Sequence, residues 1–328
     1  MSRLSANHPT LPRVVLMEDY LDQARTMPSV QELARRSDLT VYKDKAQSLN
    51  EILERLAGAR AVITIRDRVI FDAEIFSKVK GLELLSVCGP RLDPHIDCDA
   101  AIRADVRVVC APPNTQSSIP HQATAELTWA LILGLARNVV HNHSVLRSGG
   151  WQTTAGMGLA GKTLGILGST GKVGVLVVHM AHAFGMRVIA WSPKLTKEKA
   201  LQQNVEAVSF EELLHASDVL SLHANVTAES RSMIGAEEFA KMKPTALFVN
   251  TARAALIDEL ALKWALDTSQ IAAAGLDVFW EEPLPVDHWV RQHEKVLLHP
   301  HLGAFTPEGY QWIVEPGVTE VLRWLDTL

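Results

Sequence analysis

Short apolar runs alternate with helix-like segments in the first half of the chain. The runs are rich in Val, Ile and Leu, which is typical of strands buried on both faces of a parallel sheet. They cover residues 13–18, 39–44, 61–65, 82–87 and 106–111. Between them, residues 49–57 and 73–81 carry apolar residues at helical spacing. This alternation predicts a parallel sheet with helices on both faces.

The same alternation returns after residue 150. Apolar runs predict strands at residues 162–168, 185–192, 217–224, 245–252 and 271–279. Helical spacing predicts helices at residues 175–185, 210–217, 236–243 and 257–267. Two such units in a chain of 328 residues predict two domains of one α/β architecture.

The segment between the two units suggests where the domains meet. Residues 111–120 are rich in Pro, Ser and Asn, which predicts a crossing loop. Residues 121–150 read as one long helix that ends at a pair of glycines. The helical segment 307–328 is expected to return to the first domain. The predicted domains are residues 1–117 with 299–328, and residues 118–298.

Composition excludes several classes of protein. The chain is 47% hydrophobic, and its net charge of -5 gives no basic surface for nucleic acid or an anionic membrane. The longest apolar run, residues 129–136, is far shorter than the roughly 20 residues that span a bilayer. The N-terminus lacks the apolar core of a secretory signal. Three cysteines without C-x-x-C spacing predict reduced thiols and a cytoplasmic protein.

A glycine-rich segment follows the predicted strand 162–168 and opens a predicted helix. Its glycines are spaced G-x-x-G-x-x-G, one residue longer than the usual dinucleotide fingerprint G-x-G-x-x-G. The amides at a helix N-terminus attract a pyrophosphate, so the segment predicts a dinucleotide site, although helix packing alone would also explain glycines here. The predicted cofactor-binding residues are Gly168, Ser169, Thr170, Gly171, Lys172, Val173 and Gly174.

The end of the next strand bears on the choice between NAD and NADP. An acidic residue that binds the ribose hydroxyls is usual there, but this chain has Ser192, followed by Lys194. A carboxylate about 4 Å from a 2′-phosphate would cost about 4 kcal/mol, and serine removes that repulsion. The hypothesis is that NADP is at least tolerated. The alternative is that the nearby lysines are solvated surface charges.

Three residues that suit carbonyl reduction follow later strands. Arg253, Glu282 and His301 each come after an apolar run, and ligands gather beyond the carboxyl ends of parallel strands. The arginine fork suits a substrate carboxylate, and a histidine can donate a proton to a developing alkoxide. A neighbouring carboxylate would orient the ring. Singly, each has an ordinary explanation as a surface charge or turn residue, so the prediction rests on the ordered set.

Seven motifs together resemble the D-isomer-specific 2-hydroxyacid dehydrogenase family. In order they are AELTWALILGLARNV, GKTLGILG, AFGMRVIAW, SDVLSLH, MKPTALFVNTAR, GLDVFWEEPLP and HPHLG. The resemblance implies two Rossmann-like domains with a cleft between them, NAD or NADP as cofactor, a 2-oxo or 2-hydroxy acid as substrate, and a homodimer. It gives Arg253 the substrate-binding role, His301 the acid/base role and Glu282 the supporting role. It also implies cofactor contacts for His223, Thr251, Ala252 and Asp277.

The chain departs from the family pattern at two places besides the lengthened glycine segment. Ala254 replaces the glycine that normally follows the catalytic arginine, which would be strained if that position needs a positive φ. The loop whose amides hold the substrate carboxylate in the family contains Pro90, which has no amide hydrogen. The expected substrate-binding residues are therefore Gly89, Arg91, Arg66 and Arg68, although the arginines could equally be surface charges.

Other classes of function have weaker support in the sequence. No set of His, Cys and carboxylate residues has metal-ligand spacing, and no G-x-S-x-G hydrolase motif occurs. The serious alternative is a nucleotide-binding regulatory protein or pseudoenzyme of the same fold, which the altered glycine segment would fit. The complete Arg253, Glu282 and His301 set favours an active oxidoreductase.

Overall fold

The computed structural model describes residues 11–66, 68–89, 95–110 and 118–328. The chain divides into two compact units, residues 1–117 with 307–328, and residues 118–306. Each unit is built on one parallel sheet flanked by helices. The α/β class and the two Rossmann-like units predicted from the sequence are therefore confirmed.

The first unit contains a five-stranded sheet of order β2-β1-β3-β4-β5. Its strands are β1 (Arg13–Met17), β2 (Asp38–Val41), β3 (Ala61–Ile65), β4 (Leu84–Cys88) and β5 (Arg107–Cys110). Its helices are α1 (Pro28–Arg36), α2 (Leu49–Leu56), α3 (Ala73–Lys78), α4 (Cys98–Arg103) and α12 (Pro307–Leu325). Every residue of β3 and β4 is buried, because helices cover both faces of the sheet.

Helix α12 joins the first unit although it lies at the far end of the chain. The Ser86 hydroxyl on β4 donates to the Gly317 carbonyl oxygen at 2.8 Å. The Tyr310 hydroxyl donates to Asp19 Oδ1 at 2.7 Å, just beyond β1. Both bonds are buried, so they fix the helix against the sheet as well as satisfying polar groups.

The second unit contains a seven-stranded sheet of order β12-β11-β10-β9-β6-β7-β8. Its strands are β6 (Thr163–Leu167), β7 (Arg187–Trp191), β8 (Glu206–Ala207), β9 (Val219–Leu222), β10 (Leu247–Asn250), β11 (Ala273–Leu276) and β12 (Val296–Leu298). Its helices are α5 (Ile119–Ala136), α6 (Val139–Arg147), α7 (Lys172–Ala183), α8 (Lys197–Gln202), α9 (Phe210–Ala216), α10 (Ala236–Lys241) and α11 (Glu259–Asp267). The strand order reverses between β6 and β9, which is where ligands bind in such sheets.

The predicted helix over residues 121–150 is wrong in one respect, because the structure divides it into α5 and α6. Asn138 lies between them with φ +51°, a left-handed conformation that asparagine tolerates better than most residues. Its side chain donates to the Ala155 carbonyl oxygen. A periodic apolar pattern does not reveal such a break, because the apolar positions continue on both sides of it.

Residues 299–306 lie in the second unit, whereas the sequence placed them in the first domain. The His299 amide donates to the Leu276 carbonyl oxygen at 2.8 Å, so the chain continues the β11–β12 pairing. The amides of Leu302 and Gly303 donate to the Asp277 carboxylate. These bonds hold the segment beside β11.

No helix in the described residues is long and apolar enough to cross a membrane.

Candidate active site

The glycine segment forms an open turn between β6 and α7. Gly168 has φ +95°, and a Cβ there would lie 2.8 Å from the His223 carbonyl oxygen, so only glycine fits. Gly171 is the N-cap of α7, and its amide donates to the Gly168 carbonyl oxygen at 3.3 Å. Thr170, Gly171 and Lys172 are exposed. The N-cap and the first residue of this 12-residue helix are therefore exposed, and the N-terminal amides of a helix can bind a phosphate.

Not every residue of the turn is exposed to solvent. Ser169 is fully buried, and its hydroxyl has no hydrogen-bond partner among the described residues. Gly174 is buried within the first turn of α7, and Val173 is half-buried. The residues of the turn that a ligand can reach are thus 170–172, whereas the Ser169 hydroxyl is not accessible.

The ends of β7 and β9 flank this turn. Ser192 follows β7 and is half-buried, while Lys194 is exposed. His223 follows β9, and its Nε2 lies 2.9 Å from the Ser221 hydroxyl. Burial lowers the pKa of His223 to about 4, so the ring is neutral at pH 7. It can contact a phosphate by hydrogen bonding, but it adds no positive charge there.

Arg253 lies just beyond β10. The amide of Ala252 donates to Asn250 Oδ1 at 2.9 Å, and the Asn250 side chain donates to the Arg253 carbonyl oxygen at 2.9 Å. The Thr251 hydroxyl lies 2.8 Å from that of Thr128. Ala254 begins a short 3-10 helix (Ala254–Leu256) and does not have a positive φ. The strain considered for alanine at this position is therefore absent.

Glu282 lies in the loop after β11 and His301 lies in the loop after β12, and their side chains are within ion-pair distance. His301 Nδ1 lies 2.6 Å from Glu282 Oε2, and Glu282 Oε1 accepts from the Phe279 amide at 2.9 Å. The His301 side chain is 24% exposed, so the ring is accessible to a ligand while its partner holds it. This is the pairing expected of an acid/base histidine with an orienting carboxylate.

Asp277 occupies the loop after β11 beside that pair. Its side chain is 1% exposed, and its two oxygens accept from the amides of Leu302 and Gly303. His299 Nδ1 lies 2.7 Å from Asp277 Oδ1. The family resemblance implies a cofactor contact for Asp277, and its contacts with residues 299–303 were not predicted. The HPH motif was the available signal, because it places two histidines on one turn.

The three predicted catalytic residues thus follow three neighbouring strands, β10, β11 and β12. Adjacent strands lie about 4.8 Å apart, so these loops share one edge of the sheet. The glycine turn follows β6 at the same edge, with β9 between it and β10. Among the described residues, no group of His, Cys, Asp or Glu is arranged to hold a metal ion.

The predicted substrate residues belong to the first unit. Arg66, after β3, lies against Gly89, after β4: a Cβ at Gly89 would be 3.4 Å from the Arg66 Cγ. The Arg68 guanidinium donates to the Glu18 carbonyl oxygen and lies 4.5 Å from the Tyr20 ring centroid. Burial lowers the pKa of Arg68. Arg91 lies outside the described residues, as does most of the predicted crossing loop.

Comparison with known proteins identifies the class. The family model "D-isomer specific 2-hydroxyacid dehydrogenase, NAD binding domain" matches residues 129–303. A glyoxylate reductase of Aeropyrum pernix is 37% identical over 309 residues, which cover 90% of this chain and 88% of that protein. A D-3-phosphoglycerate dehydrogenase of Bacillus subtilis is 36% identical over 80% of this chain, but the match spans 49% of that longer protein.

Solved structures give the same result. A phosphoglycerate oxidoreductase from Vibrio cholerae o395 superposes with a TM-score of 0.89 at 30% identity, covering 97% of this chain and 100% of that one. The chain belongs to the D-isomer specific 2-hydroxyacid dehydrogenase family. The predicted class of reaction is therefore confirmed: an NAD(P)-dependent oxidoreductase that transfers a hydride at C2 of a 2-oxo or 2-hydroxy acid.

Proposed function

We propose that this protein reduces a small 2-oxo acid to its D-2-hydroxy acid through Arg253, Glu282 and His301. The observation that carries the proposal is the 2.6 Å contact between His301 Nδ1 and Glu282 Oε2. This contact commits Nδ1 and leaves Nε2 of a partly exposed ring to meet a ligand. Arg253 lies just beyond β10, the strand next to β11, so a carboxylate and a proton donor can engage one small molecule.

The His301–Glu282 pair supplies the proton. In the reducing direction, Nε2–H of the doubly protonated ring donates to the oxygen at C2 as negative charge develops there. The Glu282 carboxylate holds the ring orientation and stabilises its positive charge, as in other histidine–carboxylate pairs. In the oxidising direction, Nε2 accepts the hydroxyl proton. The Phe279 amide keeps Glu282 in place during both steps.

Arg253 binds the other end of the substrate. A guanidinium presents N–H groups in a planar fork that matches a carboxylate, and this geometry fixes the substrate's rotation. The Arg253 Nη1 donates to the Ala252 carbonyl oxygen at 2.7 Å, which steadies the fork. The guanidinium can bind the substrate carboxylate and polarise the carbonyl oxygen that His301 protonates.

The turn at residues 168–174 and the loop after β10 would hold the nicotinamide dinucleotide. The φ of Gly168 and the exposed amides of α7 fit a pyrophosphate. Thr251, Ala252 and Asp277 would border the nicotinamide ring. When bound, the cofactor supplies the hydride.

A direct assay tests this function. The purified protein is mixed with NADH or NADPH and a panel of 2-oxo acids, and loss of absorbance at the reduced nicotinamide band is followed. We expect oxidation of the cofactor with at least one small 2-oxo acid. Tight cofactor binding without turnover for every acid would instead favour a regulatory protein of the same fold.

The residue after β7 leads to a prediction about cofactor choice. We propose that NADPH is used as well as NADH, because Ser192 places no carboxylate where a 2′-phosphate would lie. Ser192→Asp should lower kcat/KM for NADPH at least 100-fold, since a carboxylate about 4 Å from that phosphate costs about 4 kcal/mol. Ser192→Asn is the matched uncharged control. A parent enzyme that prefers NADH by 100-fold or more contradicts the proposal.

Helix α6 supports a homodimer. None of its residues is buried, and Val139, Val140 and Leu146 are 54%, 54% and 57% exposed. An isolated helix of nine residues is marginal in water, so an apolar partner surface would stabilise it. We propose that a second copy of the chain covers this face.

The dimer prediction has a direct readout. Leu146→Asp should shift the protein toward monomer in sedimentation equilibrium, because the substitution places a charge in an apolar interface. Leu260→Asp is the matched control, since Leu260 is 75% exposed on another helix, α11. A monomeric parent protein, or an unchanged mass for Leu146→Asp, would contradict this arrangement.

The cysteines support a cytoplasmic location. We propose this compartment because Cys88, Cys98 and Cys110 are all free thiols. Burial raises the pKa of Cys88 to about 12, so that thiol stays protonated and unreactive at neutral pH.

A further inference from the structure

The turn after β12 carries a second histidine, His299, which the proposed mechanism does not use. Its Nδ1 lies 2.7 Å from Asp277 Oδ1. The His299 side chain is 33% exposed, whereas that of Asp277 is 1% exposed. A buried carboxylate needs hydrogen-bond partners to offset lost hydration, so the His299 ring helps to stabilise the Asp277 carboxylate.

Asp277 accepts three hydrogen bonds from one short segment. Besides the His299 ring, the Leu302 amide donates to Oδ1 at 3.0 Å and the Gly303 amide donates to Oδ2 at 2.9 Å. An ionised carboxylate is only an acceptor, which assigns the Nδ1 proton to His299. Of the carboxylate's four acceptor positions, Oδ1 then has both filled and Oδ2 keeps one for a ligand amide.

The residues that bond to Asp277 lie on both sides of His301 in the chain, at 299 and at 302–303. His301 has φ +53°, a left-handed conformation that costs a non-glycine residue about 1–2 kcal/mol. Such a conformation persists where the surroundings over-determine it. The His301 amide donates to the His299 carbonyl oxygen at 3.1 Å. A Cβ at Gly303 would lie 2.8 Å from Asp277 Oδ2, so the close approach of this backbone to the carboxylate requires glycine.

We propose that His299 is a positioning residue for His301. The His299 ring donates to Asp277 Oδ1 and so fixes the rotation of the carboxylate that holds the Leu302 and Gly303 amides. Those amides in turn hold the backbone at residue 301 in its left-handed conformation. Without His299, the carboxylate turns toward its remaining partners and His301 Nε2 shifts, and a displacement of about 1 Å costs roughly 100-fold in rate. The inference rests on the proposed role of His301.

Two substitutions test whether the donor at Nδ1 is what matters. His299→Asn keeps an N–H near the position of Nδ1, whereas His299→Ala removes it. We expect His299→Ala to lower kcat 10- to 100-fold, while KM for the 2-oxo acid changes less than threefold. His299→Asn should keep kcat within threefold of the parent. His293→Ala is the control, because His293 also pairs with an aspartate, Asp267, but elsewhere in the unit.

A second measurement does not depend on turnover. Imidazole nitrogen and proton NMR signals of His301 should change in His299→Ala and remain parental in His299→Asn. A parent protein that reduces no 2-oxo acid contradicts the proposed function alone, since these signals still report on the positioning. Unchanged His301 signals in His299→Ala, a kcat within twofold of the parent, or an Asn variant as slow as the Ala variant would each overturn the role of His299.

Discussion

His301→Ala is expected to lower kcat by about 10²- to 10⁴-fold, the usual contribution of a positioned acid/base group. The ring is 24% exposed and bonded to Glu282, so its removal eliminates the proton donor without opening a buried core. The dissociation constant for NADH should change less than threefold, because His301 is not among the residues proposed to hold the dinucleotide. Steady-state kinetics and a fluorescence titration of NADH measure the two quantities.

Two further variants make this result specific. His215→Ala removes an exposed histidine that faces Glu211 on α9, and it should leave kcat unchanged. Glu282→Gln keeps the acceptor for the Phe279 amide but removes the charge beside the ring, so kcat should fall less than in His301→Ala. Turnover by His301→Ala at the parental rate would remove this residue from the mechanism.

Arg253→Ala is expected to lower kcat/KM for the 2-oxo acid by about 10²- to 10⁴-fold. Two charge-assisted hydrogen bonds, each contributing about 1.5–3 kcal/mol, account for a loss of this size. Arg253→Lys should recover only part of the loss, because an ammonium group lacks the planar fork. The measurement is the dependence of rate on oxo acid concentration at saturating NADH.

The control for Arg253 is another arginine of the same unit. Arg187 begins β7 at the opposite edge of the sheet and pairs with Glu206 at the surface. Arg187→Ala should therefore leave kcat/KM unchanged. An Arg253→Ala enzyme with parental kcat/KM would show that the substrate carboxylate is bound by other groups.

The sequence predicted the sheets well because their strands are continuous apolar runs. The five strands of the first unit appear where the pattern places them, and so do five of those in the second. The short strands β8 and β12 and the helices α1, α4 and α8 were not among the predicted elements. These elements are short, or their apolar residues are too few to set a period.

The site was less predictable than the fold because hydrogen-bond partners are not written into periodicity. The order of Arg253, Glu282 and His301 indicated a shared sheet edge, and the His301–Glu282 contact agrees with that expectation. The three hydrogen bonds that Asp277 accepts were not predicted, since they depend on the left-handed turn at His301. Strain at Ala254 was expected from its residue type alone, and its φ, which is not positive, shows that the strain is absent.

The most direct test of the account is to follow the hydrogen that reaches C2. The enzyme is given reduced cofactor carrying deuterium in place of both hydrogens at nicotinamide C4, with the best substrate of the panel whose product is chiral. The account predicts a D-2-hydroxy acid carrying one deuterium at C2, formed far more slowly by His301→Ala. A product without deuterium at C2, or one of L configuration, would contradict it.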